Sequence, residues 1–295
     1  MVKASIARLL GRREQLHPEV MAVLAQLDQL AETHPPLQDA ALLQAVIVRE
    51  IYRAPPQVGT LELPQERAAE KLRSGEPLLS SERVPLDMPA LRALILQLCR
   101  ALQDQAGISH VAPIAEAIQR HAIDVEPLVQ AMLDGQATAI HERAAELDLD
   151  ADMLRTLLRF SLFPAFERLA AQLAPLRADI AWPHGYCPTC GSWPLLGEYR
   201  GLEQTRLLRC GLCASAWAVD RLLCPFCGSR DHADLSYLQV EGEEQKRVVT
   251  CEQCRSYIKM LATLLPLAPL ELIVQDLATL HLDAVALERG YAPPA

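Results

Sequence analysis

Apolar residues recur at helical spacing through the first 175 residues, in stripes that prolines and glycines separate. Val20, Val23, Leu24, Leu27 and Leu30 predict one amphipathic helix that opens at Pro18 and closes at Pro35-Pro36. Leu42 to Tyr52 predicts a second, ended by Pro55-Pro56, and the stretch on to Pro89 is the least regular part and is expected to contain loops, because prolines and glycines interrupt it. Leu91, Leu94, Ile95, Leu98 and Leu102 predict a helix ending near Gly107, and Pro113 begins one that runs towards Gly135. Met153, Leu154, Leu157 and Leu158 mark a further helix stopped near Pro164, and Phe166, Leu169 and Leu173 a short one reaching Pro175. Each stripe has to be buried, so a row of them with short connections implies one helical domain.

Near Trp182-Pro183-His184-Gly185-Tyr186 the helical period fails and the pattern turns to β-compatible runs. Thr205 to Arg209, Ala216 to Leu223, Leu235 to Val240 and Arg247 to Thr250 read as strands of hairpins. The helical period returns after Pro269, with Leu270, Ile273, Val274 and Leu277 on one face and Gly290 as a stop. The expected organisation is α+β: a helical domain over 1–182, two tandem ribbons over 183–262 (183–220 and 221–262), and a C-terminal helical tail over 263–295. Apolar residues make up 51% of the 295 residues and aromatics only 4%. The core must therefore be aliphatic, which suits packed helices.

The candidate chemistry lies in the cysteines. Eight of the nine form four Cys-x-x-Cys knuckles, Cys187/Cys190, Cys210/Cys213, Cys224/Cys227 and Cys251/Cys254. A tight turn points both sulfurs of such a pair at one spot, and a second pair completes a tetrahedron of soft donors suited to zinc or iron. Two knuckles have the form Cys-Pro-x-Cys-Gly, Cys187 to Gly191 and Cys224 to Gly228. There the proline presets the turn and the glycine permits a left-handed residue behind the second sulfur. Short loops cost less closure entropy, so sequential pairing is favoured. Cys187, Cys190, Cys210 and Cys213 are expected to hold one ion, and Cys224, Cys227, Cys251 and Cys254 a second. Four protein sulfurs leave no open position for water or substrate, so the sites read as structural rather than hydrolytic. Cys99 lies in a helical stripe as a small buried hydrophobe, and His184 and His232 are expected outside the ligand sets. No serine–histidine–acid pattern, phosphate loop or dinucleotide fingerprint is present, which points away from an enzyme.

Charge narrows the partners. The formal net charge is -9, and residues 183–262 carry nine lysines and arginines against nine acids. That balance disfavours nucleic acid, whose binding rests on excess cationic side chains. Metal-like cysteine spacing without an apolar leader predicts reduced, cytoplasmic thiols. Arg12-Arg13 is followed by Glu14-Gln15-Leu16-His17-Pro18 rather than by an apolar stretch, and reads as a solvated pair. No run approaches the roughly 18 uncharged apolar residues of a membrane span, so direct membrane insertion is not expected.

Several of these segments together resemble the family of the formate dehydrogenase accessory protein FdhE. They are Tyr186-Cys-Pro-Thr-Cys-Gly-Ser192, Arg209-Cys-Gly-Leu-Cys213 with Trp217 beyond it, Cys224-Pro-Phe-Cys-Gly-Ser229, Cys251-Glu-Gln-Cys254 leading to Tyr257-Ile-Lys259, and the tail Asp276-Leu-Ala-Thr-Leu-His-Leu-Asp283. The resemblance covers essentially the whole chain. It implies a cytoplasmic maturation factor whose two ribbons are rubredoxin-like and hold two metal ions, with iron favoured and zinc allowed. It also implies a partner: the catalytic subunit of respiratory formate dehydrogenase before export, which carries molybdenum or tungsten and an iron–sulfur cluster. Asp276 and Asp283, seven residues apart and expected on one helical face, are candidate partner contacts. A rubredoxin-type electron carrier is the alternative expectation, and a zinc-ribbon nucleic-acid module a weaker one.

Overall fold

The computed structural model describes residues 16–53, 58–178 and 180–293. Arg12-Arg13 and Pro55-Pro56 lie outside them. The chain divides into two compact units, one formed by residues 1–60 and 85–168, the other by 61–84 and 169–295.

The first unit is helical. Its elements are α1 (Pro18–Thr33), α2 (Gln38–Arg53), α4 (Met88–Ala106), α5 (Val111–Gln119), α6 (Val125–Leu133), α7 (Ala137–Glu146) and the first part of α8 (Ala151–Leu173). Helix α1 packs on α2, α2 on α4, α4 on α5 and α6, and α6 on α7. The stripe of α1 is buried as its spacing predicts, and so are Leu91, Leu94, Ile95, Leu98 and Leu102 of α4. Helix α4 starts at an Asp87 cap that accepts from the Ala90 amide and ends at a left-handed Gly107. A buried ion pair within α2 is hydrogen-bonded to α4: Arg49 donates to Glu50 and to Gln105, while Gln97 donates to Glu50. Cys99 is buried in the same core, and burial pushes its thiol up to about 12, a state with no thiolate to react.

Two helical expectations need correction, and one helix was not expected. The run from Pro113 to Gly135 is two helices, because His121 takes a left-handed φ of 57° and the Ala122 and Ile123 amides both turn back to the Ala117 carbonyl. Asp124 then starts α6 by accepting from the Glu126 amide. Pro164 does not stop its helix, since α8 runs through it to Leu173. Phe160, Leu162, Phe163, Ala165 and Phe166 are all buried there, and burial at about 1.5–3 kcal/mol per side chain outweighs the ~3 kcal/mol that an interior proline costs. Helix α7 carried too short an apolar pattern to be expected at all.

The second unit begins with α3 (Gln65–Arg73), in a stretch expected to contain loops. Only Ala68, Leu72 and the stem of Lys71 are buried along it, too few positions to announce a period. The strands β1 (Pro194–Arg200), β2 (Thr205–Cys210), β3 (Ala216–Ala218), β4 (Leu235–Leu238), β5 (Lys246–Cys251) and β6 (Tyr257–Thr263) follow. They form one six-stranded sheet in the order β3-β2-β1-β6-β5-β4. Every neighbouring pair is antiparallel except β1 and β6, which run parallel from Gly197↔Met260 to Arg200↔Thr263. Each ribbon is a knuckle, two strands, a knuckle and a third strand, and the parallel pair joins the two ribbons edge to edge. Strands β1 and β6 were not expected, and β3 is shorter than the run read over Ala216 to Leu223.

The compact units also divide the chain differently from the boundaries at 182 and 262. Leu78 and Leu79 donate to the carbonyls of Pro188 and Thr189, and the Tyr186 hydroxyl donates to Gly75. These bonds bind residues 75–79 to the first knuckle, which places this segment with the sheet. The tail is two helices, α9 (Glu271–Ala278) and α10 (Leu280–Glu288), broken at Thr279, whose hydroxyl turns back to the Gln275 carbonyl.

Candidate metal centres

All four knuckles have one backbone geometry. The amide of the first cysteine donates to the carbonyl five residues on, in Cys187→Ser192, Cys210→Ser215, Cys224→Ser229 and Cys251→Ser256. The amide four residues on returns to the first cysteine's carbonyl, from Gly191, Ala214, Gly228 and Arg255. All four returning residues are left-handed, at φ of 83°, 57°, 77° and 57°. The glycines take that conformation freely, while Ala214 and Arg255 take it at a steric cost. A serine at the fifth position of every knuckle is a regularity the sequence carries openly, yet the cysteine spacing alone did not bring it out. In the first group this side chain also turns inward, with Ser192 Oγ 3.5 Å from Cys190 Sγ and Ser215 Oγ 3.2 Å from Cys213 Sγ, whereas the Ser229 hydroxyl donates to Asp234.

These turns bring the cysteines together in the two groups that sequential pairing predicts. The four sulfurs of Cys187, Cys190, Cys210 and Cys213 lie within 4.8 Å of one another, as do those of Cys224, Cys227, Cys251 and Cys254. Every one of the eight is a free thiol. Sulfurs facing each other across the first group are 3.6 Å (Cys187–Cys213) and 3.4 Å (Cys190–Cys210) apart. Across the second the separations are 3.6 Å (Cys224–Cys254) and 3.7 Å (Cys227–Cys251). A disulfide would need about 2.05 Å, whereas four thiolates at ~2.3 Å from one ion stand roughly 3.8 Å apart. The donor set therefore fits a tetrahedral ion in each group, and both groups could hold metal.

The two groups differ in exposure. All four cysteines of the first are buried, and the Leu212 and Cys213 amides approach Cys210 Sγ at 3.4 and 3.5 Å. In the second, Cys224 and Cys251 are buried, Cys227 is exposed and Cys254 is intermediate. Burial raises the Cys254 thiol, but the Ser256 amide and hydroxyl and the sulfurs of Cys224 and Cys227 pull it below the ordinary thiol value. His184 and His232 belong to neither group: His184 stacks on Tyr186, and His232 is exposed beside Asp231.

The groups are also mechanically linked. A Cβ added to Gly185, two residues before the first group, would fall 1.7 Å from the carbonyl oxygen of Pro225 in the second group's first knuckle. Trp193 meets Tyr186 edge-on at 6.0 Å and Phe226, between Cys224 and Cys227, at 5.7 Å.

Asp276 and Asp283 lie on successive helices rather than on one, and both meet the buried Lys259 of β6. Its ammonium donates to Asp276 at 2.8 Å and Asp283 at 2.7 Å, and the Tyr257 hydroxyl donates to Asp283. Both carboxylates are thus engaged within the unit. Burial and this bond to Asp283 raise the Tyr257 hydroxyl above its ordinary value. Glu198 of β1 was missed by sequence reasoning: it is fully buried and accepts from Arg209, Arg200, Thr263 and the Leu267 amide. Burial pushes its carboxyl up, but the hydrogen bonds and charge of Arg200 and Arg209 hold it below the ordinary value.

Helices in one unit, and in the other a sheet that presents two tetracysteine groups, define the class: an α+β protein built around two four-thiol clusters. Residues 222–295 match the family model described as the FdhE C-terminal domain, and the chain is similar to FdhE proteins over most of its length. An FdhE homolog from Edwardsiella ictaluri is 32% identical over 69% of this chain and 63% of its own length. Protein FdhE of Escherichia coli O127:H6 is 26% identical over 90% of this chain and 83% of its own. The crystal structure of the FdhE protein from Pseudomonas aeruginosa superposes with a TM-score of 0.63 at 26% identity, covering 91% of this chain and 90% of that one. Among the described residues no helix is long and apolar enough to cross a membrane.

Proposed function

We propose that this chain is a cytoplasmic accessory protein in the maturation of respiratory formate dehydrogenase, and that it binds the immature catalytic subunit through a module organised by two metal ions. The observation that carries the reading is the convergence of eight free cysteines into two groups of four in a chain similar to FdhE proteins. Cys187, Cys190, Cys210 and Cys213 would hold one ion, and Cys224, Cys227, Cys251 and Cys254 the other. Iron is favoured by the family resemblance, and zinc satisfies the same donors. Four-sulfur iron supplies a centre that carries one electron without changing ligands, and zinc supplies shape alone.

The protein's own residues then act by binding and orientation. The Leu212 and Cys213 amides direct partial positive charge at the Cys210 sulfur, and the cysteines of the first group are buried. With four protein ligands at each ion, neither centre offers a reacting position, so the protein acts as a maturation factor rather than an enzyme.

The test is co-purification from cells that make formate dehydrogenase, with full-length tagged protein as bait. Capture of the catalytic subunit by the wild type, and its loss in a Cys227→Ser/Cys254→Ser variant that retains its helical circular dichroism, is the expected result. Undiminished capture by that variant contradicts a role for the second centre, and no capture by the wild type contradicts the partner. A second reading, a rubredoxin-type electron carrier, draws on the exposure of Cys227, which would bring the second centre within reach of a redox partner. Reversible one-electron titration of a red, iron-loaded protein would favour it, and a colourless zinc protein would remove it.

A further inference from the structure

The side chain of Arg206, on β2 of the first ribbon, is 2% exposed and among the largest fully buried in the protein. Its Nη1 donates to three carbonyls, those of Asp220 and Arg221 at 3.1 Å and Leu223 at 2.7 Å. Its Nε and Nη2 are buried with no hydrogen-bond partner, and among the described residues no carboxylate forms an ion pair with it. The contrast with Arg209, three residues along the same strand, is direct, because that guanidinium is paired with buried Glu198. A guanidinium stays charged at any ordinary pH, and a charge removed from water without a counter-charge costs several kcal/mol. Carbonyl dipoles fix its position but do not neutralise it.

One residue beyond the carbonyl that Arg206 holds most closely is a ligand of the second group. Leu223 precedes Cys224, the most deeply placed ligand of the second group beside Cys251, both at 2% exposure. A divalent ion with four thiolates carries a net charge of -2. On its outer side, exposed Cys227 and half-buried Cys254 share that charge with water. On the inner side at Cys224, water is excluded.

We propose that Arg206 is the counter-charge of the second metal centre, a positioning residue supplied by the first ribbon whose cation balances the net negative charge of the four-sulfur site. This rests on the reading of the two groups as metal sites. It explains a buried cation that is otherwise unpaired. It also makes the ribbons interdependent, since β2 carries Cys210 of the first centre as well as Arg206.

The experiment uses full-length protein loaded with cobalt(II), whose thiolate charge-transfer absorption reports each centre, in competition with a chelator at fixed pH. Cys227→Ser identifies the phase belonging to the second centre. Arg206→Gln removes the charge but can still donate to the carbonyls, while Arg206→Lys keeps the charge. The expected result is an affinity of the second centre about 10- to 100-fold lower in the glutamine variant, little changed in the lysine variant, with the first centre unaffected in both. Equal behaviour of the two variants, a parallel loss at both centres, or a protein that folds with neither substitution would show that Arg206 only holds the 220–223 turn, and would overturn the proposal. If the wild type develops no charge-transfer band, the metal reading itself fails, and the counter-charge with it.

Discussion

At the residue scale, the four knuckles repeat one turn, so their differences expose what each side chain costs. Ala214 holds the left-handed position that glycine fills in two of the other knuckles, and a left-handed residue with a Cβ costs about 1–2 kcal/mol. Ala214→Gly should therefore raise stability by about 1 kcal/mol, read as a later denaturant midpoint at unchanged slope; an unchanged or earlier midpoint contradicts this. Arg255 occupies the same position, but its side chain donates to the Arg289 carbonyl and lies 4.2 Å over the Tyr291 ring, so glycine there would lose contacts as well as strain. Glu198 gives a prediction with a pH sign. Its folded-state pKa is lowered, so its contribution is fully present above the unfolded value of about 4.3 and is lost as pH falls through the folded value. Glu198→Gln, which leaves Arg209 buried and unpaired, should cost about 3 kcal/mol near neutral pH. The gap in stability between variant and wild type should shrink as the solution is acidified below the ordinary carboxylate range. A gap that stays constant across that range would mean that Glu198 acts through packing alone.

At the scale of elements, the C-terminal helices are tied to the sheet by a charge cluster. Lys259 is 4% exposed and meets both Asp276 and Asp283. Asp276→Asn/Asp283→Asn leaves that ammonium buried without an anion and should destabilise the protein by about 3 kcal/mol. Each single variant should cost distinctly less, because the other aspartate remains. Additive single effects in a double-mutant cycle would show that the two carboxylates do not share the lysine. The same cluster explains why β6 was invisible in the sequence. Lys259 interrupts the apolar run Tyr257-Ile258-Lys259-Met260-Leu261, and its neutralising partners lie 17 and 24 residues away. Strand β1 hid for a related reason: Glu198 is buried in it, and Gly197 lies so close to Met260 that a side chain would collide. By contrast, the long helices α1 and α4 and the grouping of cysteines were legible, because local spacing alone decides them. The break at His121, the continuation through Pro164 and the division at Thr279 depend on packing and on local hydrogen bonds that hydrophobic periodicity does not register.

For the whole molecule, the central claim is that the latter half is organised by two ions, each in four thiolates. The eight knuckle cysteines have no disulfide to hold them, and the sulfurs of each group lie within 4.8 Å of one another, close enough to share one ion. Four thiolates repel one another unless an ion lies between them, so metal binding and folding of the sheet should be a single event. The most direct measurement is elemental analysis of full-length protein purified without oxygen, combined with mass spectrometry after thiol alkylation in the folded state. The account predicts two ions per chain, with the eight knuckle cysteines protected until a chelator is added. One ion or none, cysteines that alkylate freely in the folded protein, or masses showing disulfides between the knuckles would contradict it.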